Sequence, residues 1–452
     1  MVNYTRKKGG KYLGEGTYGC VFGDPPLKCK GDKERSKNDV ITKVMLTNNA
    51  TKELSESELW KQIDPKQEFS ISAIKMCDFD KEYNSKINQP EKCLARVNAD
   101  ERAFLKKERD KLLFYKFGGA DLIKLKPHAK NYKQLFMAIL PLLKGLKLAH
   151  ENNIVHLDIK RDNIVSKIEN NKLVLRFIDF GLSLNLNTLD SDMPYYDVYS
   201  ENSVFYQFWP PELGCFDNRG VLDPDWRVIG RLDIHNHRYG KMSSLYNLPG
   251  IETHLEDVYD MYTKVDFTNY PKVFKSVDMY SIGVLLSSLL YSYFSHVLGS
   301  SRDGSFNVFY YNAPIDKSSR FETLKSKNWI KDEQILFHTK IYENISKPIS
   351  KLISSLCNVD PNKRITISEA VKEYEKLVPA FEKYLNSKEI MEGLEGQKIL
   401  NRAADIPHIE TPIAEPFEHL INATILPNTK KYKTNTNKTN KNKTNKNKSS
   451  IK

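Results

Sequence analysis

Residues 154–163 read IVHLDIKRDN: His156 and Asp158 stand two apart, and Asn163 follows five residues beyond the aspartate. Such a run is either a charged surface turn or a loop holding a proton acceptor and a neutral oxygen ligand at a fixed separation. Asp158 can accept a hydroxyl proton, and Asn163 offers a carbonyl to a hard cation such as Mg2+. Lys160, between them, can neutralise charge on a transferring phosphoryl group. Alone the run does not choose between the two; its neighbours do.

Upstream, KQLFMAILPLLKGLKLAHENN (133–153) has the apolar pattern of a long helix leading straight into the loop. Downstream, NIVSKIENNKLVLRFIDFG (163–181) predicts a hairpin with ENN at its turn, ending in Asp179-Phe180-Gly181. An Asp before Gly is commonly a turn. Here it follows an apolar strand, so its carboxylate projects from a rigid element into a cleft. Near the start, KYLGEGTYGCVF (11–22) carries glycines at 14, 16 and 19, where bare backbone can bring amides up to phosphate oxygens. The polar stretch 23–39 reads as an insertion in a hairpin, and VITKVML (40–46) as the next strand, bearing Lys43. ATKELSESELWKQI (50–63) predicts an amphipathic helix, with Leu54, Leu59 and Ile63 as its apolar face and the acids opposite. A lysine kept charged in a partly dry cleft needs an opposing carboxylate. Glu56 is a candidate, and Glu53 and Glu58 compete with it. LLFYKF (112–117) is strand-like, GGADL (118–122) reads as a hinge, and SVDMYSIGVLLSSLLYSYF (276–294) as a buried helix.

In this order the motifs resemble the protein kinase superfamily, from about Lys11 to about Tyr384. The resemblance implies an α+β, bilobal fold, with a small β-rich lobe (11–117) and a larger helical lobe (118–385). It implies an ATP-covering loop made of Leu13, Gly14, Glu15, Gly16, Thr17, Tyr18, Gly19, Cys20 and Val21. Lys43 would contact the α/β-phosphates, and Glu56, by the spacing E-x-x-L-W, would be its helix partner. Asp158 would be the catalytic base, with Lys160 beside it, and Asn163 and Asp179 would hold Mg2+, or Mn2+ in its place. Further along, Pro210-Pro211-Glu212 resembles the end of an activation segment. Asp278 resembles the residue that braces the catalytic loop, and Arg364 the ion-pair partner of Glu212. Lys160 two after Asp158 resembles Ser/Thr rather than Tyr kinases, so the implied activity is transfer of the ATP γ-phosphate to a protein Ser or Thr. The chain departs from the pattern in having Leu157 where the family has Arg. It also has Ile41 where a small residue is usual beside adenine, and an insertion at about 216–270. A small-molecule phosphotransferase and a catalytically silent kinase-like scaffold are the alternatives.

Composition bounds the rest. The net charge of +12 looks like a nucleic-acid signal until it is located: residues 428–452 hold nine lysines and no acid. Without them the chain is close to neutral, and the Lys/Asn/Thr-rich tail is expected to be disordered, as a solvated tail or a tether for an anionic partner. Residues 1–10 and 386–427 form flanking segments. Six scattered cysteines with no C-x-x-C pair indicate neither a zinc site nor a disulfide framework. No apolar run is long enough to span a bilayer, so a cytoplasmic location is expected. The A+T-rich flavour, Leu157 and F-G-G-A-D-L resemble divergent kinases of large DNA viruses, which would place the protein in host cytoplasm or virion.

Overall fold

The computed structural model describes residues 11–16, 19–32, 39–79, 109–124, 132–188, 208–215, 261–262, 264, 269–298 and 342–385. Thr17, Tyr18, segments 1–10, 386–427 and 428–452, and most of the 216–270 insertion lie outside the described residues. The first half supplies five strands: β1 (Lys11–Gly16), β2 (Gly19–Gly23), β3 (Val40–Leu46), β4 (Lys75–Asp78) and β5 (Arg109–Lys116). They form one antiparallel sheet of order β1-β2-β3-β5-β4. Alternation gives the sheet two faces. Cys20, Phe22, Val44, Leu112 and Phe114 pack on one, with Leu27 and Cys29 from the segment after β2 folded over them. Met45, Leu113 and Tyr115 pack on the other, against Ala50 of helix α1 (Thr47–Ile63).

The buried stripe of α1 differs from the expected one. Ala50, Glu53, Glu56, Ser57 and Trp60 are buried, whereas Leu54, Leu59 and Ile63 are only partly covered. A helix facing a polar cleft buries an acid that has a partner there, as Glu53 has in Lys43, so apolar spacing picked the wrong face.

Two small antiparallel sheets follow. Strand β6 (Ala120–Asp121) pairs with β8 (Ile164–Glu169), which pairs with β9 (Lys172–Phe177); β7 (Ile154–Val155) pairs with β10 (Leu184–Asn185). Asn170 and Asn171, with φ of 50° and 60°, close β8 to β9 as a two-residue turn whose left-handed backbone suits asparagine. The expected hinge at Gly118-Gly119 is tightly packed. A Cβ on Gly118 would lie 2.2 Å from Ile71 Cδ1, and one on Gly119, at φ +100°, would lie 1.9 Å from the Ser166 carbonyl oxygen. Close approach requires these glycines.

Four helices complete the described fold: α2 (Tyr132–Glu151), α3 (Tyr270–Leu298), α4 (Lys347–Leu356) and α5 (Ile367–Tyr384). Leu135, Ile139, Leu142 and Leu146 of α2 form the stripe that meets α3 and α5 in the largest core. Val273 to Ile282 of α3 are buried nearly all round, as the apolar sequence implied. Thr366 caps α5 in a reciprocal box with Glu369. The architecture is the expected α+β, bilobal, kinase-like one. Among the described residues no helix is long and apolar enough to cross a membrane.

The cysteine expectation is overturned. Cys29 and Cys77 form a disulfide across 48 residues, Cys20 is also disulfide-bonded, and Cys357 is a buried free thiol. Disulfides form and persist in oxidising surroundings, which the expected cytoplasmic location does not supply. Pairing here depends on the segment after β2 lying beside the end of β4, where Cys29 bridges Phe79, which short-range spacing does not register.

Candidate active site

Lys43 stands on the middle strand β3, opposite Val21 and Leu113. Its buried ammonium lies 2.9 and 2.7 Å from the two carboxylate oxygens of Glu53 and 3.5 Å from Asp179 Oδ1. Burial alone would drive the proton off; Asp179 and Glu53 more than offset it, so the Lys43 pKa is raised and the side chain stays cationic. Sequence spacing put Glu56 in this place. The structure puts Glu53 there, with Glu56 buried nearby and 4.0 Å from Lys52. Residues three apart share a helix face, so counting cannot separate them. The connection does: α1 begins at Thr47, directly after β3, and Glu53 is the first inward-facing acid it delivers.

Tyr115 is a member of this cluster that sequence reasoning missed. Its hydroxyl donates to Glu53 Oε1. The signal was available in strand alternation, because Leu113 opposes Lys43 and Tyr115 lies two residues on, on the same face.

The 154–163 loop is braced from below. Asp278 on α3, fully buried, accepts the backbone N–H of His156 at 2.8 Å and of Leu157 at 2.7 Å, and lies 3.0 Å from His150 Nε2. Lys160 Nζ sits 3.0 Å from Asp158 Oδ1 and 3.1 Å from Oδ2. The Asn163 side-chain amide donates to the Asp158 carbonyl oxygen at 3.0 Å and to its Oδ2 at 2.5 Å. Because the nitrogen makes both bonds, the Asn163 carbonyl oxygen is the atom a cation would take. Burial pushes the Asp158 pKa up to about 7; Asp179 adds to the rise, while Lys160 and Asn163 oppose it. For Asp179, burial would also raise the pKa, but Lys43, then Lys160 and His156, outweigh it and hold the carboxyl below its ordinary range. An amide carbonyl and a firmly anionic carboxylate are the hard oxygen donors that Mg2+ prefers, so the donor set fits that ion.

Aromatic stacking joins these parts. Phe180, buried beside Asp179, stacks on Trp60 of α1 at 4.6 Å with 18° between planes, and Trp60 meets His156 edge-on at 5.5 Å. The Trp60 indole N–H donates to Ser183 Oγ at 3.1 Å. The helix bearing Glu53 is thereby tied to the turn bearing Asp179.

The glycine-rich pair behaves less uniformly than its motif. A Cβ on Gly19 would lie 2.5 Å from the Val44 carbonyl oxygen, so sheet packing requires that glycine; one on Gly14 would meet only Lys124 Nζ, at 3.9 Å. Val21 opposes Lys43 and Cys20 opposes Val44. Cys20 therefore belongs to the outer face of the sheet, not to the cleft, which corrects its place in the expected ATP-covering set. Leu13, Gly14, Glu15 and Gly16 lie along β1.

At the far end, Glu212 and Arg364 are paired as expected, Nη2 to Oε2 at 3.1 Å, with both side chains fully buried. Arg364 also donates to Ser276 Oγ at 2.6 Å.

A β-sheet carrying a lysine, a helix glutamate aimed at that lysine, and an Asp/Asn loop near a second Asp make up the candidate site. In agreement, residues 8–214 match the family described as protein kinase domain. That stretch of the chain is similar to the protein kinase family. Among characterised proteins it is similar to the probable serine/threonine-protein kinase fnkE of Dictyostelium discoideum, at 28% identity over 148 residues, 30% of this chain and 10% of that protein. It is also similar to the inhibitor of nuclear factor kappa-B kinase subunit alpha of Gallus gallus, at 30% identity over 107 residues, 23% of this chain and 14% of that protein. The similarity thus covers a small part of either relative.

Proposed function

We propose that this chain is a serine/threonine protein kinase that transfers the γ-phosphate of ATP to a protein hydroxyl. The observation that carries the proposal is the setting of Asp158: a buried carboxylate with a pKa near 7, within hydrogen-bond distance of both Lys160 and Asn163. Such a group is matched to accept a proton at neutral pH. Asp158 takes the hydroxyl proton as the new O–P bond forms and the bond between phosphorus and the ADP oxygen breaks. Lys160, next to it, offsets negative charge on the moving phosphoryl group. Lys43, kept cationic by Glu53 and Asp179, binds the α/β-phosphates, and the β1–β2 glycines cover them. Asn163 and Asp179 would hold Mg2+, which would neutralise charge on the phosphate oxygens. Orientation and electrostatics, rather than covalent chemistry, are what these residues contribute.

Similarity to one kinase whose name carries serine/threonine specificity supports the acceptor class. Lys160, two residues after Asp158, supports it from within the chain. The test is to incubate the purified chain with radiolabelled ATP, Mg2+ and a degenerate peptide library, alongside a panel of sugars and aminoglycosides. Phosphoserine and phosphothreonine in peptides are expected. Label confined to tyrosine, or to the small molecules alone, would contradict the proposal.

A further inference from the structure

Leu157 has a φ of +60°, a left-handed conformation that is a rarity for a bulky side chain. Such geometry persists only where the surroundings over-determine it, and here each part of the residue is held. Its N–H is bound by Asp278 at 2.7 Å. Its side chain is fully buried with Val155, Leu186, Leu213 and Phe274. Its carbonyl oxygen accepts the indole N–H of Trp209 at 2.7 Å. That carbonyl belongs to the peptide whose N–H is Asp158's, and this N–H in turn faces His156 Nδ1 at 3.3 Å. The peptide plane leading into Asp158 is therefore fixed at both polar atoms, by Trp209 on one side and His156 on the other.

Trp209 is itself firmly placed. It is 5% exposed and immediately precedes Pro210-Pro211-Glu212, whose carboxylate is locked to Arg364. We propose that Trp209 is a positioning residue for Asp158: its indole N–H holds the Leu157 carbonyl and so fixes the tilt of the peptide that carries the carboxylate. The chain uses a neutral hydrogen bond and a buried leucine to set this loop, where the resembling family places a cation. This inference rests on the reading of Asp158 as the base.

The test compares wild type, Trp209→Phe, Val273→Ala and Asp158→Ala for phosphate transfer to a peptide, with the KM for ATP and the melting temperature measured in parallel. Trp209→Phe keeps an aromatic ring in the cluster and removes the donor together with some ring volume, a loss of packing that Val273→Ala controls for. A loss in kcat of about tenfold, the scale of one well-placed hydrogen bond, is expected with the KM for ATP within about twofold. Val273→Ala loosens the same cluster from α3 and should lower the melting temperature with kcat retained. A kcat of Trp209→Phe equal to wild type, or a loss that Val273→Ala reproduces, would overturn the role of Trp209 alone. An inactive wild type, or an Asp158→Ala variant as active as wild type, would instead overturn the kinase reading on which it rests.

Discussion

At the scale of single residues, the identity of the carboxylate opposite Lys43 is the point on which spacing and structure part. Glu53 and Glu56 are both buried on one face of α1, yet both oxygens of Glu53 meet the ammonium. Truncating one member of a buried ion pair leaves the other's charge uncompensated. In a Glu53→Gln variant, Lys43 would be left, among the described residues, with Asp179 at 3.5 Å as its anionic neighbour and would draw on the carboxylate proposed for the metal. Glu53→Gln should therefore lower kcat/KM for ATP by about tenfold or more, and Glu56→Gln should change it far less. Steady-state kinetics on the two variants checks this, and the reverse ranking would return the role to Glu56. Tyr115 belongs to the same set, since its hydroxyl supports the Glu53 orientation on which the Lys43 contact depends.

At the scale of elements, the stitch between Cys29 and Cys77 ties the segment after β2 to β4, the short edge strand of the five-stranded sheet. Among the described residues β5 is the strand that pairs with β4, which is four residues long. Closing a loop of 48 residues restricts the unfolded chain by about 2–4 kcal/mol. Cys77→Ser should lose roughly that much in denaturant unfolding, and reductant should bring wild type towards the variant; curves indifferent to both changes would refute the stitch. Sequence reading did well on elements whose pattern is local. The β8–β9 hairpin with its Asn-Asn turn, the long helix before the catalytic loop and the buried α3 follow from periodicity and turn chemistry. It failed where the third dimension decides. The disulfide joins β4 to the segment after β2, which come together only in three dimensions, α1 buries Glu53 because the Lys43 ammonium lies opposite, and Gly118 and Gly119 answer to the side chain of Ile71 and the backbone at Ser166 rather than to a need for bending.

At the scale of the whole molecule, the site is assembled by contacts across long stretches of chain. Asp278 reaches back 121 residues to the Leu157 amide, and Arg364 reaches back 152 to Glu212. The sequence placed Lys43, Asp158, Lys160, Asn163 and Asp179 in order, and the fold brings them into one electrostatic cluster. Trp60 stood in the E-x-x-L-W spacing without a role of its own, and Trp209 had no motif to mark it; their indole donors fasten the turn after Asp179 and the Leu157 peptide. The central claim is that this cluster turns Asp158 into a base for phosphoryl transfer. Its carboxyl is pushed up to about 7, chiefly by burial, and only the deprotonated form can accept a proton. The most direct test is the pH profile of kcat/KM for wild type and Asp158→Asn, since that ratio reports the free enzyme's pKa. The wild-type rate should climb with pH and level off above about 7, with Asp158→Asn slower by at least about a hundredfold. A flat wild-type profile across that range, together with an Asp158→Asn variant as fast as wild type, would contradict it.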